Sequence, residues 1–163
     1  MLLHKLTKTN GLIIGFDDKL LIQQISPKTV AVFNKNTYIN LKNNCINTIH
    51  YLGIHMPFES FNFNNIVISD FIRILPKDII KLMIKETYRL SKHLYIIYTD
   101  GYMNNLCHFL NRKWLSIQQI QNILKEIDLD IITVQSINDI KIFEIIDGRN
   151  WLTGYSNKGD ELI

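Results

Sequence analysis

The chain alternates between short apolar runs and longer segments in which apolar residues recur every three to four positions. Uninterrupted apolar runs suit strands buried on both faces of a parallel sheet, while the longer spacing suits helices with one buried stripe. The central stretch shows both in succession. Met56 to Asn64 reads as a tight loop, and Asn65 to Ser69 as a buried strand built on Ile66-Val67-Ile68. Pro76 opens a helix running to Ser91, with Ile79, Ile80, Met83, Ile84 and Thr87 on one side and Lys77, Lys81, Lys85 and Arg89 on the other. Leu94 to Tyr98 follows as a second buried strand. Strand, helix, strand is a β-α-β unit, half of a doubly wound α/β sheet.

The flanks extend the pattern. Leu12 to Gly15 predicts a first strand, Asp17 to Gln24 a short helix stopped by Ser26-Pro27, and Thr29 to Phe33 a second strand. Thr37 to Lys42 predicts a helix and Asn47 to Leu52 a third strand. After the central unit, Asp100 to Lys113 has no period and is rich in Tyr, Asn and His. Ser116 then begins a helix with Gln119 three residues on, a capping box, and its core face is Ile117, Ile120, Leu124 and Ile127. Ile131 to Val134 and Ile140 to Ile146 are closing strands. The four residues between them, Ser136 to Asp139, are too few for a parallel crossover and predict an antiparallel pair.

Composition changes this picture little. A chain of 163 residues accommodates one domain with a sizeable core. The net charge of +3 is too small to imply nucleic acid by itself. The basic stripe of the central helix could contact phosphates, but Asp78 and Glu86 dilute it and it reads as a solvated face. Cys45 and Cys107 have no CxxC spacing, which suits two free thiols in a reducing compartment. No apolar run approaches the roughly 18 residues of a membrane span, so a soluble, cytoplasmic protein without a membrane partner is expected. His4, His50, His55, His93 and His108 fall in no ligand spacing, and no metal site is expected. Nucleophile elbows, P-loops and dinucleotide glycine motifs are absent from the sequence.

Met56-Pro57-Phe58, then Phe63-Asn64 and an apolar strand ending Ser69-Asp70, resembles the corresponding region of class I S-adenosylmethionine-dependent methyltransferases, type 11-like members among them. Glu86-Thr87-Tyr88-Arg89-Leu90-Ser91-Lys92 is similar to their E-x-Y-R-V-L-K helix end, and Trp114-Leu115-Ser116 through Ile131 to their last helix and strand. The resemblance runs from about Gly11 to Ile146. It implies a Rossmann-like, doubly wound, mostly parallel seven-stranded sheet with a C-terminal antiparallel hairpin. Residues 1–146 would form the methyltransferase-like domain and 147–163 a tail with no counterpart in the family.

Ligands of open α/β sheets bind beyond the carboxyl ends of the strands, at the switch in strand order. Carried onto this chain, the resemblance places cofactor contacts at Gly15, Phe16 and Asp17 after strand one, and at Asn34 after strand two. It places others at Gly53 and Ile54 after strand three, and at Ser69 and Asp70 after strand four. Gly15 keeps the first glycine of the family loop, where the backbone passes close to the cofactor. Asp17 stands at the second glycine, as counter-charge to the cofactor's ammonium or as a helix cap. Asn34 replaces the ribose-binding acid and is an uncharged acceptor or a turn residue. Ile13 and Leu52 stand where the strand-one and adenine-binding acids would be. Phe58 either packs on a purine or belongs to the core. Asp70 either serves substrate positioning and proton acceptance or caps the next segment. Tyr102, His108 and Trp114 mark a loop that is either a lid over the substrate or a surface loop pinned by Trp114. Arg73-Ile74 occupies the place of a Glu-His pair in many relatives, so no catalytic residue carries over.

Two functions follow from the resemblance. One is a divergent methyltransferase that uses S-adenosylmethionine on an unidentified small molecule. The other is a degenerate methyltransferase fold without catalysis that binds a protein partner subunit. The ten residues ahead of strand one leave no room for the helices that close over the cofactor in relatives, so an open cofactor site is expected. Nucleic acid, bound through the basic helix, is the weakest of the partners considered.

Overall fold

The computed structural model describes residues 10–15, 29–32, 35–43, 47–50, 55–91, 93–99, 114–137 and 140–148. Seven strands form one sheet: β1 (Gly11–Ile14), β2 (Thr29–Val32), β3 (Thr48–His50), β4 (Asn65–Ile68), β5 (Leu94–Thr99), β6 (Leu129–Ile137) and β7 (Ile140–Asp147). Their order is β3-β2-β1-β4-β5-β7-β6. The pairs β3-β2, β2-β1, β1-β4 and β4-β5 are parallel, while β7 runs antiparallel to both β5 and β6. This is the doubly wound sheet with a terminal hairpin that the sequence predicts.

Successive residues of each strand serve opposite faces. Leu12, Ile14, Ile66, Ile68, Leu94 and Ile96 enter one core, against the helices α2 (Lys77–Leu90) and α3 (Ile117–Lys125). Ile13, Val30, Val32, Val67, Tyr95 and Ile97 enter the other, against α1 (Lys35–Asn43) through Leu41 and Tyr38. Burial on both faces explains why the strands carry no polar alternation. Lys77 and Lys81 of α2 both pair with Glu126, just beyond α3, and Arg89 pairs with Glu86. Three of the four cations in the basic stripe are thus held by acids of the same chain.

Several boundaries move. The helix predicted from Thr37 runs from Lys35 to Asn43, and β6, predicted as four residues, has nine. The added length of β6 comes from pairing with β7, with a register shift between Thr133 and Gln135. On α2, Ile79 is exposed and Glu86 is buried, the reverse of the expected face. The two lie on one flank of the helix, which the segment around Met56 covers only at its C-terminal end. The expected helix at Asp17–Gln24 lies outside the described residues.

Ser116 caps α3 as predicted: its hydroxyl accepts from Gln119 N, and Gln119 Oε1 accepts from Ser116 N. Ser116→Ala should lower stability by about 1 kcal/mol, measured as a shift in urea midpoint with unchanged slope. Among the described residues, no helix is long and apolar enough to cross a membrane.

Candidate functional site

In the order β3-β2-β1-β4-β5-β7-β6, β1 is joined onward to β2 on one side, while the chain returns across to β4 on the other. The strand order therefore reverses between β1 and β4, and the crevice of an open α/β sheet lies at the carboxyl ends of these two strands. Gly15 ends β1 there, and Ser69 and Asp70 end β4. Two segments 54 residues apart in sequence, at Gly15 and at Ser69, meet at this point.

Their geometry is specific. Gly15 has φ +79°, a left-handed turn that side chains disfavour, and its N–H donates to Ala31 O at 3.0 Å. Ser69 N donates to Ile14 O at 3.0 Å, and Ser69 Oγ donates to Gly15 O at 2.8 Å. The same hydroxyl accepts from Phe71 N at 3.4 Å and so caps the 3-10 helix Asp70–Ile74. The cap is Ser69 and not Asp70, because the serine hydroxyl reaches the amide two residues on. Asp70 is buried in the first turn of that helix.

The room beside Gly15 is filled by Phe71. A Cβ added to Gly15 would stand 2.1 Å from Phe71 Cδ1 and 2.2 Å from Cε1. The sequence reading gives this glycine to the cofactor, whereas here an aromatic ring of the chain itself takes the space. Phe58 meets Phe63 edge-on at 4.9 Å in the segment that leads into β4, packed against the core. This matches its core reading.

A second cluster adjoins Asp70. Arg73 is 2% exposed, and its guanidinium carbon lies 3.9 Å from the Tyr98 ring centroid and 4.1 Å from that of Trp114. Arg73 Nε donates to Leu115 O at 2.8 Å, and Leu115 N donates to Arg73 O at 2.8 Å. Trp114 is thus fastened onto the segment that follows β4. Sequence reading gave Trp114 to a lid or a core pin and saw Arg73 only as the residue standing in place of a Glu-His pair, without assigning it a role. The available signal was a lone cation inside the apolar run Phe71-Ile72-Arg73-Ile74-Leu75. Phe16, Asp17, Asn34, Gly53, Ile54, Tyr102 and His108 lie outside the described residues.

No family model matches the chain, and no curated protein sequence does. Solved structures do. A SAM-dependent methyltransferase of Thermotoga maritima superposes with TM-score 0.65 at 10% identity, over 89% of this chain and 87% of its own. Magnesium protoporphyrin IX methyltransferase of Synechocystis PCC 6803, with bound SAH, gives TM-score 0.58 at 10% identity over 85% and 74%. A Rhodobacter sphaeroides chain assigned to the zinc-dependent alcohol dehydrogenases gives 0.62 at 8% over 85% and 84%. The chain has the class I methyltransferase fold. Identities this low establish architecture and leave chemistry to the site.

Proposed function

We propose that this chain is an S-adenosylmethionine-dependent methyltransferase acting on a small molecule. The observation that carries the reading is the crevice between β1 and β4, in a sheet with this strand order, holding the left-handed Gly15 and the buried Asp70. When bound, the cofactor supplies an electrophilic methyl group on a sulfonium. The chain's own contribution is orientation, which is the main need of an in-line displacement. Gly15 turns the backbone sharply at the end of β1, and Ser69 locks that turn to β4. Asp70 offers a carboxylate at the same edge, suited to an ammonium group or to a proton leaving the acceptor. Phe16, Asp17, Asn34, Gly53 and Ile54 complete the expected contacts. We assign no catalytic residue.

A second reading is a methyltransferase fold that binds a protein partner without catalysis. It draws on Phe71, whose ring fills the space that Gly15 opens. A cytoplasmic setting, read from the cysteine usage, fits either.

Calorimetric titration with S-adenosylmethionine and S-adenosylhomocysteine separates the two. Micromolar binding, weakened about tenfold or more in Asn34→Ala or Asp70→Asn, supports the enzyme and justifies an acceptor screen. Absence of binding at millimolar ligand removes it and directs attention to a partner subunit.

A further inference from the structure

A guanidinium in a protein interior ordinarily brings a carboxylate with it, because an unpaired buried charge is costly. The buried Asp70 lies three residues earlier in the same short helix, but among the described residues it makes no contact ion pair with Arg73. Among those residues, no ion pair includes Arg73. Its Nη1 is buried and donates to no group among the described residues. Nε is spent on Leu115 O, and the rings of Tyr98 and Trp114 lie against the guanidinium. Rings this close to a guanidinium shield it, and the donor atom they leave without an acceptor is the buried Nη1. A planar group held this way is preorganised for a carboxylate or phosphate oxygen arriving in its own plane. Were Arg73 only a packing element, an apolar side chain would fill the space without leaving an N–H unmatched.

Its position matters as much as its chemistry. Arg73 lies three residues after Asp70, in the helix capped by Ser69, and Tyr98 lies near the carboxyl end of β5. The cation therefore stands at the ligand-binding edge of the sheet, next to the β1-β4 crevice.

We propose that Arg73 is the receptor for an oxyanion, carboxylate or phosphate, on the methyl acceptor, so that the substrate is an anionic small molecule. The substrate assignment rests on the methyltransferase reading, whereas the anion site itself does not.

Trp114 is a built-in reporter, since the chain's other tryptophan is Trp151. In the 163-residue chain carrying Trp151→Phe, Trp114 emission is followed while benzoate, inorganic phosphate or the uncharged isostere benzamide is added. Chloride holds ionic strength constant, and each series is run with and without S-adenosylhomocysteine. Benzoate or phosphate should produce a saturable change, with benzamide weaker by about tenfold or more. Which of the two anions binds more tightly tells a carboxylate acceptor from a phosphorylated one. Arg73→Gln should weaken the anion by about tenfold or more while calorimetric binding of S-adenosylhomocysteine stays within about twofold of the parent. Equal responses to benzoate and benzamide, no saturable response to either anion, or an unchanged anion affinity in Arg73→Gln would each overturn the proposal. If Arg73→Gln does not fold, the benzoate-to-benzamide ratio of the parent protein decides alone. Anion binding without S-adenosylhomocysteine binding keeps the anion site and defeats the methyltransferase; the converse result defeats only the anion site.

Discussion

Gly15→Ala should cost about 2–5 kcal/mol of stability, ahead of any effect on ligand binding. Two terms contribute. Left-handed backbone costs a residue with a Cβ about 1–2 kcal/mol, and Gly15 sits at φ +79°. Crowding adds about 1–3 kcal/mol, because the new Cβ would lie 2.1 Å from Phe71 Cδ1 and 2.9 Å from Ser69 Oγ. A double-mutant cycle separates the terms. In a Phe71→Ala background the same substitution should cost less, about 1–3 kcal/mol by urea denaturation, because the backbone part and the approach to Ser69 Oγ remain. An equal cost in both backgrounds would mean that Phe71 does not hold the space beside Gly15. The cycle also bears on function. If Phe71→Ala strengthens S-adenosylhomocysteine binding, the ring competes with the cofactor for the glycine's room. If binding is weakened, the ring belongs to the cofactor's support.

The second large effect lies at the opposite edge of the sheet. Glu86 Oε1 accepts from Met56 N at 2.8 Å, both of its oxygens accept from Arg89, and His55 Nδ1 stands 3.4 Å away. Arg89 Nη2 also donates to Met56 O, so one buried carboxylate fastens the 55–64 segment to the end of α2. Glu86→Ala leaves Met56 N and Arg89 without their acceptor and should cost about 2–4 kcal/mol. Burial opposes ionisation of Glu86, yet the Arg89 hydrogen bond, the Met56 N–H and the nearby charges of Arg89 and His55 outweigh it. Its carboxyl is held below the ordinary 4.5. A depressed carboxylate stabilises the fold fully above its unfolded value, and that stabilisation is lost as pH falls through the folded value. Stability should therefore fall more steeply below about pH 4.5 in the parent than in Glu86→Gln. Parallel pH profiles would remove the Glu86 network as the cause.

These two sites differ in how far the sequence reveals them. The Glu86 cluster falls on the helix end that resembles a family segment, but its burial is invisible to periodicity. Ile79 and Glu86 occupy one flank of α2, and hydrophobicity alone puts the isoleucine inside. The covering segment decides otherwise, because it reaches only the last turns of the helix. At the crevice, the sequence placed Gly15, Ser69 and Asp70 after the right strands. It did not show that Ser69 would bind Gly15 O across 54 residues, or that Phe71 would fill the glycine's space.

What the sequence by itself determined is local in origin. Apolar runs made the strands, three-to-four spacing made α2 and α3, Ser116 and Gln119 started α3, and a short connection made β6 and β7 antiparallel. Each of these signals acts within a few residues of its effect. Only the tertiary structure decided which rings lie against Arg73, which oxygen Ser69 finds and which acid the lysines of α2 hold. Those choices depend on segments about 25 to 54 residues apart meeting in space, where hydrogen-bond and steric ranges of a few ångströms apply. A lone arginine in an apolar run reads as an exception in sequence; in the fold, it is a cation beside two rings whose buried Nη1 has no acceptor among the described residues.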